Sequence, residues 1–142
     1  MILRFFMDEG GNIVLKVNDI HHIAIICSNY EVSKHFYVNL LGFKPLLEVY
    51  REDRDSYKLD LMLNDVYKIE LFSFPNPKQR PSHPEACGLR HLALEVNDMI
   101  EAVQWLESNN IIVEDIRIDP FTEKRYTFFA DPDGLPIELY EA

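Results

Sequence analysis

The short apolar stretch from about Asp19 to Cys27 predicts a strand. Ile23 and Ile25 take one side of it, and His22, Ala24 and Ile26 the other. The period then changes. Val32, Phe36 and Leu40 recur at fourfold spacing and predict a helix from about Tyr30 to Leu41 with one buried stripe. Ser28 and Asn29 offer oxygens to cap its start, and Gly42 suits a left-handed residue after its end. Strand-like stretches follow near Pro45–Glu52, Tyr57–Leu63 and Tyr67–Phe74, the last two joined by the turn residues Asn64-Asp65. The same order then returns. A strand covers about Gly88–Val96, Asn97 and Asp98 cap a helix near Met99–Ser108, and Asn109-Asn110 end it. Strands fit Ile112–Ile118, Arg125–Ala130 and Leu135–Tyr140, with Asp131-Pro132-Asp133-Gly134 as the final turn. Each half reads βαβββ.

The repetition extends to polar residues. Ile20-His21-His22-Ile23-Ala24-Ile25 returns as Leu89-Arg90-His91-Leu92-Ala93-Leu94, and Ile69-Glu70-Leu71 returns as Ile137-Glu138-Leu139. Histidine precedes glutamate by 48 residues in the first half and by 47 in the second. A hydrophobic repeat needs only its apolar positions to recur. Here two imidazoles and two carboxylates recur with them, and these are side chains that bind divalent metals. Alternation places Glu70 with Lys68 and Phe72, away from Ile69 and Leu71, so His22 and Glu70 both leave the most apolar face of their strands. Taken singly, a glutamate between apolar strand residues is an ordinary solvent-side residue. Recurrence of all four at matched positions favours a shared role, and a pseudo-twofold axis would gather them.

Other polar residues carry less. His21 faces away from His22 on a regular strand, His35 lies on a helix beside Lys34, and His83 sits within reach in a loop. Cys27 and Cys87 form no framework or zinc-ribbon spacing and are expected to pack rather than react. Arg51, Arg54 and Lys58, with Lys124 and Arg125, either gather anionic substrate groups or balance an acidic surface.

Composition narrows the partners. A net charge of −10, from 24 acidic and 14 basic residues, argues against nucleic acid. No apolar run is long enough for a membrane helix, and Asp8-Glu9-Gly10-Gly11 cuts short the apolar start before a signal peptide could form. Two cysteines among 142 residues suit a reducing compartment, so a cytoplasmic location is expected. The expected layout is an extension over residues 1–18 and one domain over 19–142. That domain comprises a first repeat (19–75), a linker (76–87) and a second repeat (88–142). Pro75, Pro77, Pro81 and Pro84 stiffen the linker region.

On these motifs the chain resembles the vicinal oxygen chelate superfamily, and within it the small bacterial glyoxalase I-like (lactoylglutathione lyase-like) proteins. The resemblance spans about residues 18–142. It also rests on Phe36-Tyr37 through Leu40-Leu41-Gly42-Phe43, on Gly88-Leu89-Arg90-His91, and on the Asp131-Pro132-Asp133-Gly134 turn leading to Ile137-Glu138-Leu139. It implies an α+β fold in which two βαβββ modules form a curved mixed sheet around one divalent ion. It implies His22, Glu70, His91 and Glu138 as metal ligands, Glu138 as catalytic base with Glu70 second, and a homodimer acting on a small molecule. Four N/O ligands leave two octahedral positions, which suits nickel, cobalt or manganese, with zinc a further candidate. Extradiol dioxygenases and fosfomycin-type thiol transferases of the superfamily match only His22, His91 and Glu138. Glu70 therefore favours glyoxalase I chemistry, a proton transfer through a metal-stabilised enediolate. An iron(II) dioxygenase and a non-catalytic binding module remain the alternatives. Two glutathione-contacting positions of true glyoxalase I, an arginine and an asparagine, are here Ile26 and Phe74. Methylglyoxal–glutathione hemithioacetal is thus the leading substrate, with thiol-free oxygenated molecules next.

Overall fold

The computed structural model describes residues 5–142. Phe6–Met7 (β1) and Ile13–Val14 (β2) pair as an exposed antiparallel hairpin within the expected extension. Residues 1–4 of that extension lie outside the described residues.

The first module contains Ile23–Cys27 (β3), helix α1 (Tyr30–His35), Lys44–Arg51 (β4), Ser56–Leu63 (β5) and Val66–Ser73 (β6). The second contains Leu92–Val96 (β7), helix α2 (Met99–Ser108), Arg117–Ile118 (β8), Arg125–Ala130 (β9) and Pro136–Glu141 (β10). Each forms a four-stranded mixed sheet, in the orders β3-β6-β5-β4 and β7-β10-β9-β8. The strand that opens each module runs parallel to the strand that closes it, and the other pairings are antiparallel. The expected α+β architecture of paired βαβββ modules is what the chain adopts.

One face of each sheet enters a single continuous core. Ile25, Leu59, Leu61, Ile69 and Leu71 come from the first sheet, and Phe129, Ile137 and Leu139 from the second. Phe36, Tyr37, Met99 and Leu106 from the helical segments complete it. Each fully buried aliphatic side chain stabilises the fold by about 1.5–3 kcal/mol. The opposite faces, which carry the His–Glu pairs, remain open.

The helices begin as their caps predict. Asn29 accepts from the Val32 amide and Asp98 from the Glu101 amide, 3.2 and 2.9 Å away. The buried stripe differs from expectation: Val32 is exposed, and Tyr30, Ser33, Phe36 and Tyr37 face inward. Tyr30, Ser33 and Tyr37, at i, i+3 and i+7, form the inward stripe, and a widened π-type turn over Phe36–Leu40 follows it. Gly42 follows with φ of +81°, the left-handed stop its position predicts. The predicted strand Ile112–Ile118 survives only as Arg117–Ile118. Upstream of it, Thr127 Oγ1 donates to the Glu114 carbonyl at 2.7 Å, and a single backbone bond from Glu114 replaces a ladder.

The Asp131–Leu135 turn joins the modules. Buried Asp131 accepts from the Asp133 and Leu135 amides, both at 2.9 Å, and from Tyr37 Oη at 2.7 Å. Burial, and then the neighbouring Asp131 carboxylate, push the Tyr37 hydroxyl far above its ordinary pKa, so it stays a donor. Asp133 also accepts from the Ser28 amide at 3.0 Å, and Trp105 Nε1 donates to the Leu40 carbonyl at 2.9 Å. Neither helix is long and apolar enough to cross a membrane.

Candidate metal centre

Glu70 and Glu138 sit at the centre of their closing strands. In the parallel registers, Glu70 lies opposite Ala24 and Glu138 opposite Ala93. Both alanines are small and exposed, which leaves space over each carboxylate. Ile69, Leu71, Ile137 and Leu139 are buried in the core, and this alternation turns both glutamates to the open faces. His22 and His91 stand one residue before β3 and β7.

The histidines meet the glutamates in two matched pairs. His22 Nε2 lies 3.3 Å from Glu70 Oε2, and His91 Nε2 lies 3.0 Å from Glu138 Oε2. Exposure matches as well: the glutamate side chains are 13% and 14% exposed, the histidines 35% and 33%. Two ligands about 2.1 Å from an ion and at right angles to each other stand about 3.0 Å apart. The donor set of each pair therefore fits two adjacent ligands of a divalent ion. Among the described residues no three His, Cys, Asp or Glu side chains gather closely enough to hold one. The four predicted ligands come together in twos, on separate sheets of one chain.

The surroundings of the two pairs differ. Tyr67 Oη donates to Glu70 and bonds to Asp60 at 3.1 Å. Lys58 Nζ is 2.7 Å from Asp60 and 3.9 Å from Glu70. Burial, then the bonds to Glu70 and Asp60, push the Tyr67 hydroxyl well above its ordinary pKa, so it remains a proton donor to Glu70. The Tyr67 ring also stacks on His22 at 5.2 Å. Glu138 has no such tyrosine or lysine bond among the described residues: Phe128 occupies the position cross-strand from it and meets His91 edge-on at 5.2 Å.

Asp60 and Tyr67 escape a reading of the sequence for a definite reason. A two-residue Asn64-Asp65 turn, counted back without interruption, would set Asp60 opposite Ile69. A bulge between Leu61 and Met62 shifts the register by one and sets Asp60 opposite Glu70. The same irregularity puts Tyr67 on the face of Glu70, three residues away. The Asn-Asp turn was the available signal, but the bulge was not.

The remaining residues fall into place. His21 does not face away, because β3 starts only at Ile23. Its Nδ1 lies 2.8 Å from His22 Nδ1, and a proton held on His22 Nδ1 leaves its Nε2 lone pair free for a ligand role. His35 is exposed. His83 lines a cleft of about 870 Å³ together with His91, Arg90, Arg117 and Phe128. Cys27 is buried, donates to the Phe72 carbonyl at 3.2 Å and has its thiol pushed up to about 11 by burial. Cys87, expected to pack, is exposed. Arg125 pairs with Glu141, 2.6 Å away. Ile26 and Phe74 line another cleft of about 870 Å³ together with Ala24, Lys78, Gln79 and Arg80.

Residues 19–139 match the Glyoxalase/Bleomycin resistance protein/Dioxygenase superfamily. The chain is 62% identical over 128 residues to the uncharacterized Escherichia coli (strain K12) protein YaeR, covering 90% of this chain and 99% of that one. It is 62% identical over 125 residues to the uncharacterized Bacillus subtilis (strain 168) protein YwkD, covering 88% and 98%. A crystal structure of a glyoxalase family protein from Enterococcus faecalis superposes with a TM-score of 0.80 at 48% identity, covering 87% of this chain and 97% of that one. Relatives at 25–27% identity bear different activities in their names: a metallothiol transferase, a 2-epi-5-epi-valiolone epimerase and a glyoxylase I. With its duplicated modules and matched His–Glu pairs, this chain belongs to the glyoxalase/bleomycin resistance protein/dioxygenase, or vicinal oxygen chelate, superfamily.

Proposed function

We propose that this protein is a divalent-metal-dependent lyase or isomerase of glyoxalase I type, with methylglyoxal–glutathione hemithioacetal as the leading candidate substrate. The observation that supports it is the duplicated pair: His22 with Glu70 and His91 with Glu138, each at the spacing of adjacent metal ligands. Because the pairs lie on separate sheets, the proposal includes a homodimer. Each site then takes His22 and Glu70 from one protomer and is completed by the partner's His91 and the partner's Glu138. Nickel, cobalt, manganese or zinc would be held there and would supply Lewis acidity toward two adjacent substrate oxygens.

The protein's own groups divide the remaining work. Tyr67 and Lys58, both bonded to Asp60, hold Glu70 in one position, as suits a fixed ligand. Glu138 has His91 as its only polar partner among the described residues, so its carboxylate can take a proton from the substrate carbon and return it to the next. Ala24 and Ala93 leave room beside both carboxylates. Ile26 and Phe74 make the adjoining cleft wall apolar, which favours a second reading in which the same chemistry serves a substrate other than a glutathione adduct.

The test is isomerisation of the hemithioacetal by protein loaded separately with each of the four metals. Turnover that disappears in Glu138→Gln supports the reading. Absence of turnover with every metal, at one ion bound per site, moves the search to thiol-free diols and hydroxyketones. Mixing His22→Ala with His91→Ala protein tests the shared site. In a mixed dimer one site carries both lesions and the other none, so re-equilibrated mixtures recover about a quarter of native metal sites. A site contained in one chain recovers none.

A further inference from the structure

Arg51 ends β4 at the open face of the first sheet, and its surroundings are unlike those of an ordinary surface cation. Its guanidinium lies 4.9 Å from the Phe72 ring centroid and 5.6 Å from that of Phe74. The two rings stack on one another, 5.8 Å apart with planes 19° from parallel. Its one hydrogen bond among the described residues goes from Nη2 to the neutral Ser56 Oγ, at 2.8 Å. Its Nε is buried and donates to nothing. Among the described residues no carboxylate pairs with it, in a chain whose 24 acidic residues outnumber 14 basic ones. Lys34, Lys44, Lys58, Lys68, Arg90, Arg117 and Arg125 have carboxylate partners, and among the described cations without one, Lys16, Arg54, Lys78, Arg80 and Lys124, none rests on a pair of stacked rings as Arg51 does.

The position matters as much as the vacancy. Phe72 follows Glu70 by two residues on β6 and so shares its face, about 7 Å further along the strand. A guanidinium resting on aromatic faces is partly desolvated and held flat, which preorganises its free edge for a planar oxyanion.

We propose that Arg51 is a binding residue for an oxyanion, a carboxylate or phosphoryl group, carried at the end of the substrate remote from its metal-facing oxygens, beside the Phe72 and Phe74 rings. The proposal rests on the metal-site reading for the location of those oxygens, but not for the anion site itself. It assigns the substrate class as small, vicinally oxygenated and anionic, with an apolar stretch over Phe72 and Phe74 between its two ends. Ile26, directly cross-strand from Phe72, walls the same stretch with an apolar side chain.

Two measurements test it. In the first, metal-free protein labelled with nitrogen-15 is titrated with glutarate while the Arg51 Nε–H resonance is followed by NMR. The signal should move saturably with glutarate and not with neutral glutaramide. In the second, nickel-loaded protein is titrated calorimetrically with glutaric acid monohydroxamate and with butyrohydroxamate, which share a chelating head but differ in tail charge. The carboxylated probe should bind at least about tenfold tighter, and Arg51→Gln should erase the difference while leaving butyrohydroxamate unchanged. Arg51→Lys, which keeps the charge but loses the flat fork, should keep only part of the preference, and an unchanged amide spectrum certifies each variant's fold. An Arg51 signal that ignores glutarate overturns the proposal, as does a tail preference that survives Arg51→Gln. Hydroxamate binding that proves independent of metal, with the glutarate response intact, removes the metal reading and leaves the anion site standing. Metal-dependent binding of both hydroxamates at equal affinity does the reverse.

Discussion

The two His–Glu pairs are near copies in geometry and opposites in company. Donor spacing, cross-strand alanine and carboxylate exposure agree between the sheets. Yet Glu70 is tied to Tyr67 and lies within ion-pair range of Lys58, whereas Glu138 has an aromatic ring where the first sheet has Asp60. The two modules keep the same His–Glu geometry, and a different cross-strand neighbour separates the two carboxylates by restraint. A carboxylate held by several bonds is suited to fixing an ion, and one with a single polar partner is suited to moving a proton.

The largest effect expected from this contrast is on turnover. Glu138→Gln should lower kcat by about 10²–10⁴-fold even with metal saturating. Glu70→Gln should instead weaken metal binding, with turnover recovering as metal is raised. Rate measured against metal concentration separates the two, and equal losses at saturation would break the assignment of roles. Tyr67→Phe comes next, with an expected loss of about 10–100-fold in metal affinity by competition with a chelator. Phe128→Leu, at the matched place in the other sheet, should change that affinity little.

Stability should divide the halves as well. Asp131→Ala strips acceptors from two backbone amides and from Tyr37. A cost of about 3 kcal/mol, roughly 10 °C in Tm, is expected by thermal unfolding. The corresponding turn of the first module, Asn64-Asp65, is held by its positive φ angles of 50° and 61° rather than by buried bonds. Asn64→Ala should cost only about 1 kcal/mol.

The smallest difference lies at the sheet ends. The Tyr57 amide donates to Ser73 Oγ at 2.9 Å, and the matched Arg125 amide to Glu141 Oε2 at 3.0 Å. The Arg125 side chain, then its amide, hold the Glu141 pKa down at about 2 from an ordinary 4.5. A carboxyl depressed on folding stabilises the protein above its unfolded pKa and loses that contribution as pH falls through the folded value. Tm should therefore fall between pH 4.5 and 2, and Glu141→Ser should flatten the fall. An unchanged slope would mean that the two sheet ends are equivalent.

Much of this was legible in the chain. Local period, caps and turn residues announced two βαβββ modules, and the extent of α2 and β9 followed from them directly. The repeat picked out His22, Glu70, His91 and Glu138, because alternation along a strand is a local property that survives duplication. Where strands actually begin was less legible. Pairing starts only at Ile23, which frees His21 to sit beside His22, and Ile112–Ile116 are held by the Glu114 amide on the Phe128 carbonyl and by Thr127 instead of a ladder.

By itself, then, the sequence determined the elements, their order and which side chains leave each strand together. These depend on neighbours within a few residues, through period, capping and left-handed turns. Tertiary structure alone decided who those side chains meet. One bulge sets Asp60 against Glu70, docking of α1 through Tyr30 and Ser33 leaves Val32 exposed, and packing of two core faces leaves the His–Glu pairs on separate open sheets. Arg51 finds Phe72 and Phe74 only because β4 and β6 flank β5. Cross-strand register and module packing are set by contacts between residues far apart in the chain, and no local pattern encodes them.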